Sequence, residues 1–354
     1  MSGSAIIRED IEAIVERLGD EVERLNGKNF LITGGTGFVG TYLLETMAYL
    51  NDHVLSRACH LYAVTRNPQK VAVRLPHLLS RPEFTLIEGD IRRLPLPSLP
   101  WDFVIHAAAP SDAKVFLQEP LDTLDTIIEG TRATLVAAAE AKAEAFLMVS
   151  SGAVYGQQPA ECIWMSEDYA GAPDLRQTRS AYGEAKRFAE LLCRVYRERK
   201  GVPVSIARIF TLVGPGQDLN STSAVLDFIR QGLNGDTITI HDDGLAVRSY
   251  CYIADAVTAL WKVLLSNQVG EVVNVGADLE AISFYDLAHR VGACLGKDVT
   301  VKVEGGSATG VLSGRYAPDV SRLHERLGFR PRTTLDEALC RTIEWMREQR
   351  VESV

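Results

Sequence analysis

The stretch FLITGGTGFVGTYLLE, residues 30–45, sets the fold of this chain. An apolar run typical of a buried strand leads into a glycine-rich turn, and a helical pattern follows. Glycine is needed where a chain turns tightly, where its backbone approaches a pyrophosphate and where a helix packs closely on a strand. The free N–H groups that begin such a helix favour an anion. We therefore predict a dinucleotide site, and its contacts in this stretch are Gly34, Gly37, Phe38, Val39 and Gly40.

Short apolar segments alternate with helical segments over the first 210 residues. Segments rich in Val, Ile, Leu and Phe between helices predict a parallel sheet covered on both faces. The predicted fold is α/β, a Rossmann-type doubly wound sheet. Its strands are NFLIT (29–33), HLYAVT (60–65), FTLIEGD (84–90), DFVIHAA (102–108), AFLMVSS (145–151) and PVSIARIF (203–210). Its helices are predicted near 38–50, 123–142 and 180–200.

Beyond residue 210 the alternation becomes irregular, with helices predicted near 222–234, 253–267, 283–296 and 335–349. We predict a dinucleotide-binding domain over 27–210 and a smaller C-terminal α/β lobe over 211–354, whose chain crosses back to the sheet. Residues 1–26 are predicted as an N-terminal helical extension, because apolar residues recur at three and four positions from Ile7 to Leu25. This stripe is expected to pack on its own domain, and binding of a partner is the alternative.

Composition and charge exclude several classes of protein. The chain has 354 residues and a net charge of −9 without a basic block, which disfavours nonspecific nucleic-acid binding. Its six cysteines form no C-x-x-C pair and its seven histidines show no ligand spacing, so neither a disulfide frame nor a metal site is predicted. The acidic N-terminus is unlike a signal peptide, and no apolar run approaches the ~20 residues that cross a bilayer. We expect a cytoplasmic protein that does not bind membranes.

The end of the second predicted strand, AVTRNP (63–68), bears on the choice of cofactor. NAD sites usually place an acid here, which accepts hydrogen bonds from the ribose 2′-hydroxyl. Thr65 and Arg66 stand here instead, and an arginine that paired with a 2′-phosphate would favour NADP+, although arginine is also common in solvated loops. NAD+ and NADP+ both stay open. Asp90 either meets the adenine end or caps its strand. The remaining predicted cofactor contacts are Ile91, Ala107 and Ala108.

Two further stretches join the glycine loop in a recognisable set. They are SSGAVYG (150–156) and SAYGEAK (180–186), which contains Tyr182 and Lys186. Together the three resemble the extended short-chain dehydrogenase/reductase family, which comprises nucleotide-sugar epimerases, dehydratases and decarboxylases. The resemblance covers nearly all of residues 27–345. Three other stretches, at 106–126, 248–257 and 319–339, look most like UDP-glucuronate decarboxylases.

The resemblance implies a catalytic set of Ser151, Tyr182 and Lys186. Ser151 would hydrogen-bond the sugar hydroxyl that is oxidised, Tyr182 would remove its proton, and Lys186 would hold the nicotinamide ribose. Residues four apart share one helix face, so Lys186 is expected beside Tyr182. An adjacent ammonium and the positive nicotinamide ring both favour the phenolate, which predicts a lowered pKa for Tyr182 in the presence of the cofactor.

The residues after Ser151 bear on which reaction follows the oxidation to a 4-keto sugar. The dehydratases that this chain resembles carry an Asp–Glu pair here, and the decarboxylases usually keep the Glu. Gly152 and Ala153 stand at these positions and cannot move a proton. Because C4 epimerisation needs no further acid or base, we predict a nucleotide-sugar C4 epimerase. A UDP-glucuronate-type decarboxylase is the main alternative, and a 4,6-dehydratase, a nucleotide-sugar reductase and a non-catalytic dinucleotide-binding protein are further ones.

The remaining family positions concern the substrate, a nucleotide-diphosphate sugar. Arg248 matches an arginine that binds the diphosphate, with a structural salt bridge as the alternative, and Arg315 is a second candidate for a phosphate. The predicted substrate contacts are Ser111, Ser151, Tyr182, Thr211, Arg248 and Arg315. Leu212 and Val213 replace the polar residues usual after RIF, which hints at an unusual sugar. The family commonly dimerises through a four-helix bundle, so a homodimer built on residues 122–143 and the Tyr182 helix is predicted.

Overall fold

A parallel sheet of seven strands forms the centre of the molecule. The computed structural model describes residues 4–96, 99–110, 112–266, 270–305 and 314–351. Its strands are β1 (Asn29–Thr33), β2 (His60–Thr65), β3 (Phe84–Glu88), β4 (Phe103–His106), β5 (Ala145–Ser151), β6 (Val204–Ile209), β7 (Leu212–Val213), β8 (Thr237–Ile240), β9 (Val247–Arg248), β10 (Cys251–Tyr252), β11 (Val272–Val275), β12 (Ile282–Ser283), β13 (Thr300–Val303) and β14 (Arg315–Tyr316). The order in the main sheet is β11-β6-β5-β4-β1-β2-β3, with parallel pairing between neighbours. The predicted Rossmann-type fold is confirmed.

Helices cover both faces of this sheet. They are α1 (Ala5–Leu18), α2 (Phe38–His53), α3 (Pro68–Arg74), α4 (Pro76–Leu79), α5 (Ala113–Gln118), α6 (Pro120–Ala141), α7 (Ala181–Lys200), α8 (Ala224–Asn234), α9 (Ile253–Leu265), α10 (Phe284–Leu295), α11 (Ser321–Leu327) and α12 (Leu335–Val351). Short 3₁₀ helices span Gly19–Leu25, Gly152–Tyr155 and Thr178–Ser180. In the described part of the chain, no helix is both long enough and apolar enough to cross a bilayer.

Two apolar cores lie on opposite faces of the sheet, because successive side chains of a strand point to opposite sides. Phe30 and Ile32 of β1 join the core that contains α2 and α9. Leu31, between them, joins the core that contains residues of α6 and α7. All three side chains are fully buried, which is why β1 is apolar throughout and does not alternate with polar residues.

The strand order reverses between β1 and β4. In open α/β sheets, ligands bind in the crevice at the carboxyl ends of the strands on either side of such a reversal. Here that crevice lies beyond Thr33 and His106, the last residues of β1 and β4. The glycine loop leaves β1 at this edge, so the topology places the predicted cofactor site where the sequence motif does.

The second lobe is not separate from the sheet. Helix α9 contacts β5 and β6, and β11 pairs with β6 as the outermost strand. The predicted crossing back therefore occurs, because α9 and β11 add a helix and an edge strand to the central sheet although they lie beyond residue 210. The rest of the lobe carries three small sheets, β10-β7, β12-β9-β14 and β13-β8, which the sequence analysis did not foresee.

The N-terminal segment packs on its own chain, as expected. Its regular helix ends at Leu18, because Gly19 takes a positive φ of 53°, and a 3₁₀ helix continues to Leu25. The apolar stripe contacts α2 and α9. On the same helix the buried Asp10 accepts hydrogen bonds from Tyr42 (2.8 Å) and from Tyr252 (2.8 Å to Oδ2), and it pairs with Arg341 (2.9 Å). One buried carboxylate thus joins α1 to α2, β10 and α12.

Candidate active site

The glycine loop has the geometry of a nucleotide cradle. Gly34 takes φ 73°, and a Cβ there would lie 2.6 Å from the carbonyl oxygen of Ala107. A Cβ on Gly40 would lie 2.2 Å from the carbonyl oxygen of Gly34. A side chain therefore fits at neither position. Helix α2 begins directly after Gly37, which provides no side-chain cap, so the N–H groups of its first turn are available to an anion.

The other predicted contacts at this end of the cofactor line the same crevice. Phe38 and Val39 form the first turn of α2. Ala107 and Ala108 follow β4, and their N–H groups donate to Thr33 at the end of β1, to its carbonyl oxygen (3.2 Å) and its hydroxyl (3.3 Å). The residues present thus fit a dinucleotide whose pyrophosphate lies at the start of α2.

The predicted adenosine end is a cluster of charged side chains. Arg66 follows β2, and its Nη1 atom lies 3.9 Å from a carboxylate oxygen of Asp122. Asp90 accepts from the backbone N–H (3.0 Å) and the Nε (2.9 Å) of Arg92, and these bonds hold the pKa of Asp90 below its usual value. Asp90 therefore closes the turn after β3 and is tied to Arg92. Ile91 is buried beside Gly130 and contributes its side chain to the core.

The three predicted catalytic residues come together at the carboxyl end of β5. Ser151 is the last residue of β5, and its hydroxyl accepts from the N–H of Ala153 (3.1 Å), which starts the 3₁₀ helix Gly152–Tyr155. Tyr182 is the second residue of α7, and its phenol lies beside the Ser151 hydroxyl, which favours the phenolate. Lys186 lies one turn further along and is almost fully buried.

The expected lowering of the phenol pKa is wrong for the protein groups by themselves. Burial raises the pKa of Tyr182, and the hydrogen bond with Ser151 opposes this only in part. Burial also lowers the pKa of Lys186 to about 8, and its ammonium donates to the carbonyl oxygen of Val149 (2.8 Å). Helical spacing did bring Lys186 beside Tyr182, but its ammonium donates a hydrogen bond to a backbone carbonyl oxygen.

Two aromatic residues that the sequence analysis missed lie at this site. Phe116 of α5 stacks on Tyr182 with a ring separation of 4.8 Å and planes 19° apart. Tyr316 of β14 brings its phenol beside the Ser151 hydroxyl, and its ring stacks on Phe210 at 4.6 Å. The phenols of Tyr182 and Tyr316 therefore both lie near this hydroxyl. No local pattern marks either residue, because each is far from Ser151 in the sequence.

These rings also occupy the space beside Gly152. A Cβ on Gly152 would lie 2.6 Å from the phenol oxygen of Tyr316 and 2.7 Å from two ring carbons of Phe210. The position at which dehydratases carry an acid is therefore filled by aromatic side chains from β14 and from the segment after β6. A larger residue at 152 would need both rings to move.

The predicted substrate contacts do not lie together as the catalytic residues do. Arg248 is buried, and its guanidinium donates from Nη1 to the carbonyl oxygens of Val247 and Gly314 (2.8 Å each) and lies 5.9 Å from the centre of the Tyr316 ring. Burial lowers its pKa. Arg248 is thus close to the site and is held by carbonyl groups and aromatic rings.

The remaining substrate candidates lie beside these strands or beyond the described chain. Arg315 directly precedes Tyr316 in β14, so the pleat directs its side chain to the opposite face. Thr211 is half-buried, and its carbonyl oxygen accepts from the N–H of Cys251 (2.9 Å). Ser111 lies outside the described residues.

The profile of the NAD dependent epimerase/dehydratase family matches residues 30–276. The chain belongs to this family. UDP-glucuronic acid decarboxylase 1 of Arabidopsis thaliana is 31% identical over 319 residues, which are 90% of this chain and 70% of that protein. UDP-glucuronic acid decarboxylase 1 of Xenopus tropicalis is 30% identical over 327 residues, 91% of this chain and 73% of that protein.

Among solved structures, UDP-glucuronic acid 4-epimerase from Bacillus cereus, in complex with UDP-glucuronic acid and NAD, is similar to this chain. The TM-score is 0.78 and the sequence identity is 26%, and the match covers 91% of this chain and 99% of the epimerase. The resemblance to extended short-chain dehydrogenases/reductases is confirmed. The chain is an enzyme of the NAD-dependent epimerase/dehydratase family, in which decarboxylases and 4-epimerases both resemble it.

Proposed function

We propose that the protein is an NAD(P)-dependent nucleotide-sugar C4 epimerase that acts through a transient 4-keto sugar, and that the first substrate to test is a UDP-hexuronate. One observation carries the proposal. The Ser151 hydroxyl and the Tyr182 phenol lie side by side at the cofactor crevice, whereas Gly152 and Ala153 hold no acid and aromatic rings fill the space over Gly152. The site can therefore oxidise and re-reduce C4, and it offers no carboxylate at the positions that dehydratases use.

The protein groups have simple roles in this reaction. Ser151 donates or accepts at the C4 hydroxyl and fixes its direction toward Tyr182. The Tyr182 oxygen takes the hydroxyl proton as the ketone forms, and it returns that proton when the hydroxyl is restored on the other face. A nicotinamide held in the crevice would supply the acceptor for the C4 hydride and its later return. Lys186 would contact the nicotinamide ribose, and Gly34 and the first turn of α2 would hold the pyrophosphate.

UDP-hexuronates come first because two independent likenesses name the same sugar. The curated relatives are named UDP-glucuronic acid decarboxylases, and the solved epimerase holds UDP-glucuronic acid. The relatives' names also favour decarboxylation as the second candidate function. Oxidation of a glucuronate at C4 places its carboxylate β to a ketone, from which carbon dioxide leaves readily.

A single incubation separates the candidates. Purified protein with NAD+ or NADP+ is incubated with UDP-glucuronate, then with a panel of other nucleotide sugars, and mass and proton NMR are followed. Unchanged mass with an inverted C4 supports the epimerase, and loss of carbon dioxide supports the decarboxylase. Loss of water would indicate a dehydratase, and net consumption of reduced cofactor a reductase. Stoichiometric dinucleotide binding without any turnover would contradict an enzymatic role.

The cofactor preference is proposed to depend on Arg66. Its side chain is about half exposed, at the end of β2, where an acid would select NAD+. We expect NADP+ to bind more tightly than NAD+, and Arg66→Gln to weaken NADP+ binding about tenfold, because one charge-assisted phosphate contact is lost. Cofactor fluorescence titration measures both constants. Arg230→Gln, which removes a similar ion-paired arginine from α8, is the control and should change neither. Tighter NAD+ binding by wild type and variant alike would contradict the assignment.

A homodimer through α6 and α7 remains a proposal. The two helices pack side by side and leave large apolar side chains exposed on their outer faces, namely Leu121, Val136, Phe188, Leu191 and Val195. We expect wild-type protein to sediment at twice 38.8 kDa and Leu191→Lys to shift it toward the monomer, because a charge would be buried in the bundle. Leu279→Lys, at a similarly exposed leucine outside these helices, should remain dimeric. Monomeric wild-type protein would refute the dimer.

A further inference from the structure

A buried polar cluster continues along α7 beyond Lys186. Glu190 lies one turn further on, and its side chain is 7% exposed. Its Oε1 atom accepts from the hydroxyl of Ser150 (2.6 Å) and from Nε of Arg208 (2.9 Å), and its Oε2 accepts from Nη2 of Arg208 (2.6 Å). One carboxylate therefore joins α7 to the ends of β5 and β6.

The strand segment held by Glu190 is the one that carries the reacting groups. Ser150 stands between Val149, whose carbonyl oxygen binds the Lys186 ammonium, and Ser151, whose hydroxyl binds Tyr182. A shift of Ser150 would move both neighbours. The hydrogen bond from Ser150 to Glu190 thus fixes the positions of Lys186 and Ser151 relative to Tyr182.

The charge of Glu190 also acts on Lys186. Cβ atoms one helical turn apart are about 6 Å from each other, and burial weakens solvent screening between the two groups. Burial brings the pKa of Lys186 to about 8, and Glu190 is the main group that opposes this lowering. Arg208 is the cation that is ion-paired with Glu190 (2.6 Å), so the Glu190 charge acts on Lys186 from a longer distance.

The other titratable groups that face Lys186 are neutral. His106 at the end of β4 is fully buried between Thr33 (2.8 Å from Nδ1) and Thr131 (3.1 Å from Nε2), and burial, with the Lys186 charge, lowers its pKa to about 3. Burial raises the pKa of Cys193 on α7, so it remains a thiol. Tyr182 is a neutral phenol for the same reason. Glu190 is thus the charged member of this set.

We propose that Glu190 is a positioning residue of the reaction, which fixes the end of β5 that carries Ser151 and places a carboxylate one helical turn from the Lys186 ammonium. The proposal rests on the proposed function, in which Tyr182 and Lys186 serve proton and hydride transfer. Glu190 itself contacts neither reacting group in the structure. It acts through Lys186 and Ser150.

The test measures the charge of Lys186 directly. Protein labelled with ε-¹³C lysine is titrated by NMR, and the Lys186 signal is assigned by its loss in Lys186→Arg. We expect a midpoint near 8 in the wild type, as burial and Glu190 together set the Lys186 pKa. Glu190→Gln should lower the midpoint by about one pH unit. Burial lowers the lysine pKa, and the negative charge that opposes this effect is then missing. Glu190→Asp, whose carboxylate is withdrawn by one methylene, should give an intermediate shift.

Ser150→Ala is the matched control for charge. It removes one hydrogen bond to Glu190 and leaves the carboxylate, so the Lys186 midpoint should stay at the wild-type value. An unchanged midpoint in Glu190→Gln would overturn the proposal. If that variant cannot be purified folded, a wild-type midpoint in Glu190→Asp would overturn it equally.

Turnover gives the second readout. At pH 7.5, Glu190→Gln is expected to lower kcat about tenfold with little change in KM, since the substrate contacts remain while the reacting groups lose alignment and charge. The ratio of the wild-type kcat to the Glu190→Gln kcat should be largest between the two Lys186 midpoints, where mainly the wild-type lysine is charged. Equal kcat values across the pH range would contradict a positioning role. Absence of turnover in the wild type, with the NMR shift present, would overturn the proposed function while the coupling between Glu190 and Lys186 held.

Discussion

Replacement of Tyr182 by phenylalanine is expected to reduce turnover of the nucleotide sugar by about 10³-fold, within the range usual for loss of a general acid–base group. The phenol is the group that lies beside the Ser151 hydroxyl at the end of β5, and phenylalanine keeps the ring that stacks on Phe116. The fold and the cofactor cradle should therefore persist. Turnover is followed by NMR and cofactor binding by fluorescence titration.

The direction in which turnover changes with pH gives a second test of the role of Tyr182. Burial raises the pKa of Tyr182, and the base is the phenolate, so the wild-type rate should rise with pH until the phenol is ionised. Binding of a positively charged nicotinamide should lower the midpoint of that rise. The residual rate of Tyr182→Phe should lack the rise altogether.

The control for Tyr182→Phe is Tyr196→Phe. Tyr196 lies on the same helix, more than three turns further on, and packs partly buried against the same core. Tyr196→Phe removes the same single oxygen atom as Tyr182→Phe does, and its turnover should match that of the wild type. If Tyr182→Phe kept its rate while binding cofactor normally, another group would be the base and the proposed mechanism would be wrong.

The sheet could be predicted from the sequence because each strand is marked by its own run of apolar residues. Strands β1, β2 and β5 begin and end where the apolar runs at 29–33, 60–65 and 145–151 do, since a strand buried on both faces must be apolar throughout. The glycine loop was predictable for a similar reason. A Cβ at Gly34 or Gly40 would overlap backbone atoms, so the sequence can tolerate no other residue there.

The surroundings of the catalytic residues were not predictable in this way. Tyr316 reaches Ser151 from a strand 165 positions away, which pairs with β9 of the C-terminal lobe. Phe116 comes from a six-residue helix that carries no periodic pattern of its own. Such contacts depend on how the two lobes pack together. Neither a hydrophobic period nor a local motif in the sequence indicates that packing.

The acceptor and the protonation of Lys186 could not be predicted for a different reason. The i, i+4 spacing places Lys186 beside Tyr182, as predicted, but it does not specify which acceptor the ammonium binds. The carbonyl oxygen of Val149 lies 2.8 Å from Nζ, and burial lowers the pKa of the lysine itself. Spacing on a helix predicts neighbours, whereas protonation depends on burial and on acceptors from other strands.

The second large effect is expected from Gly152→Ala, which adds one methyl group at the position that decides the reaction. Its Cβ would lie 2.6 Å from the Tyr316 oxygen and 2.7 Å from carbons of the Phe210 ring. Both contacts are with side-chain ends, so the rings should shift and the protein should still fold. Overpacking of this kind costs about 1–3 kcal/mol of the free energy of unfolding. Turnover should fall about 10²-fold, because Tyr316 draws Ser151 out of line with Tyr182.

Gly235→Ala is the matched control, because the same methyl group there would meet no atom within 4 Å and the backbone is extended. Urea unfolding and the NMR turnover assay should find it close to wild type. Combining Gly152→Ala with Tyr316→Phe removes the atom at 2.6 Å and should restore part of the stability, but not the hydrogen bond to Ser151. If Gly152→Ala kept wild-type stability and rate, the rings would not confine position 152. The glycine would then give no reason to favour epimerisation over chemistry that needs an acid there.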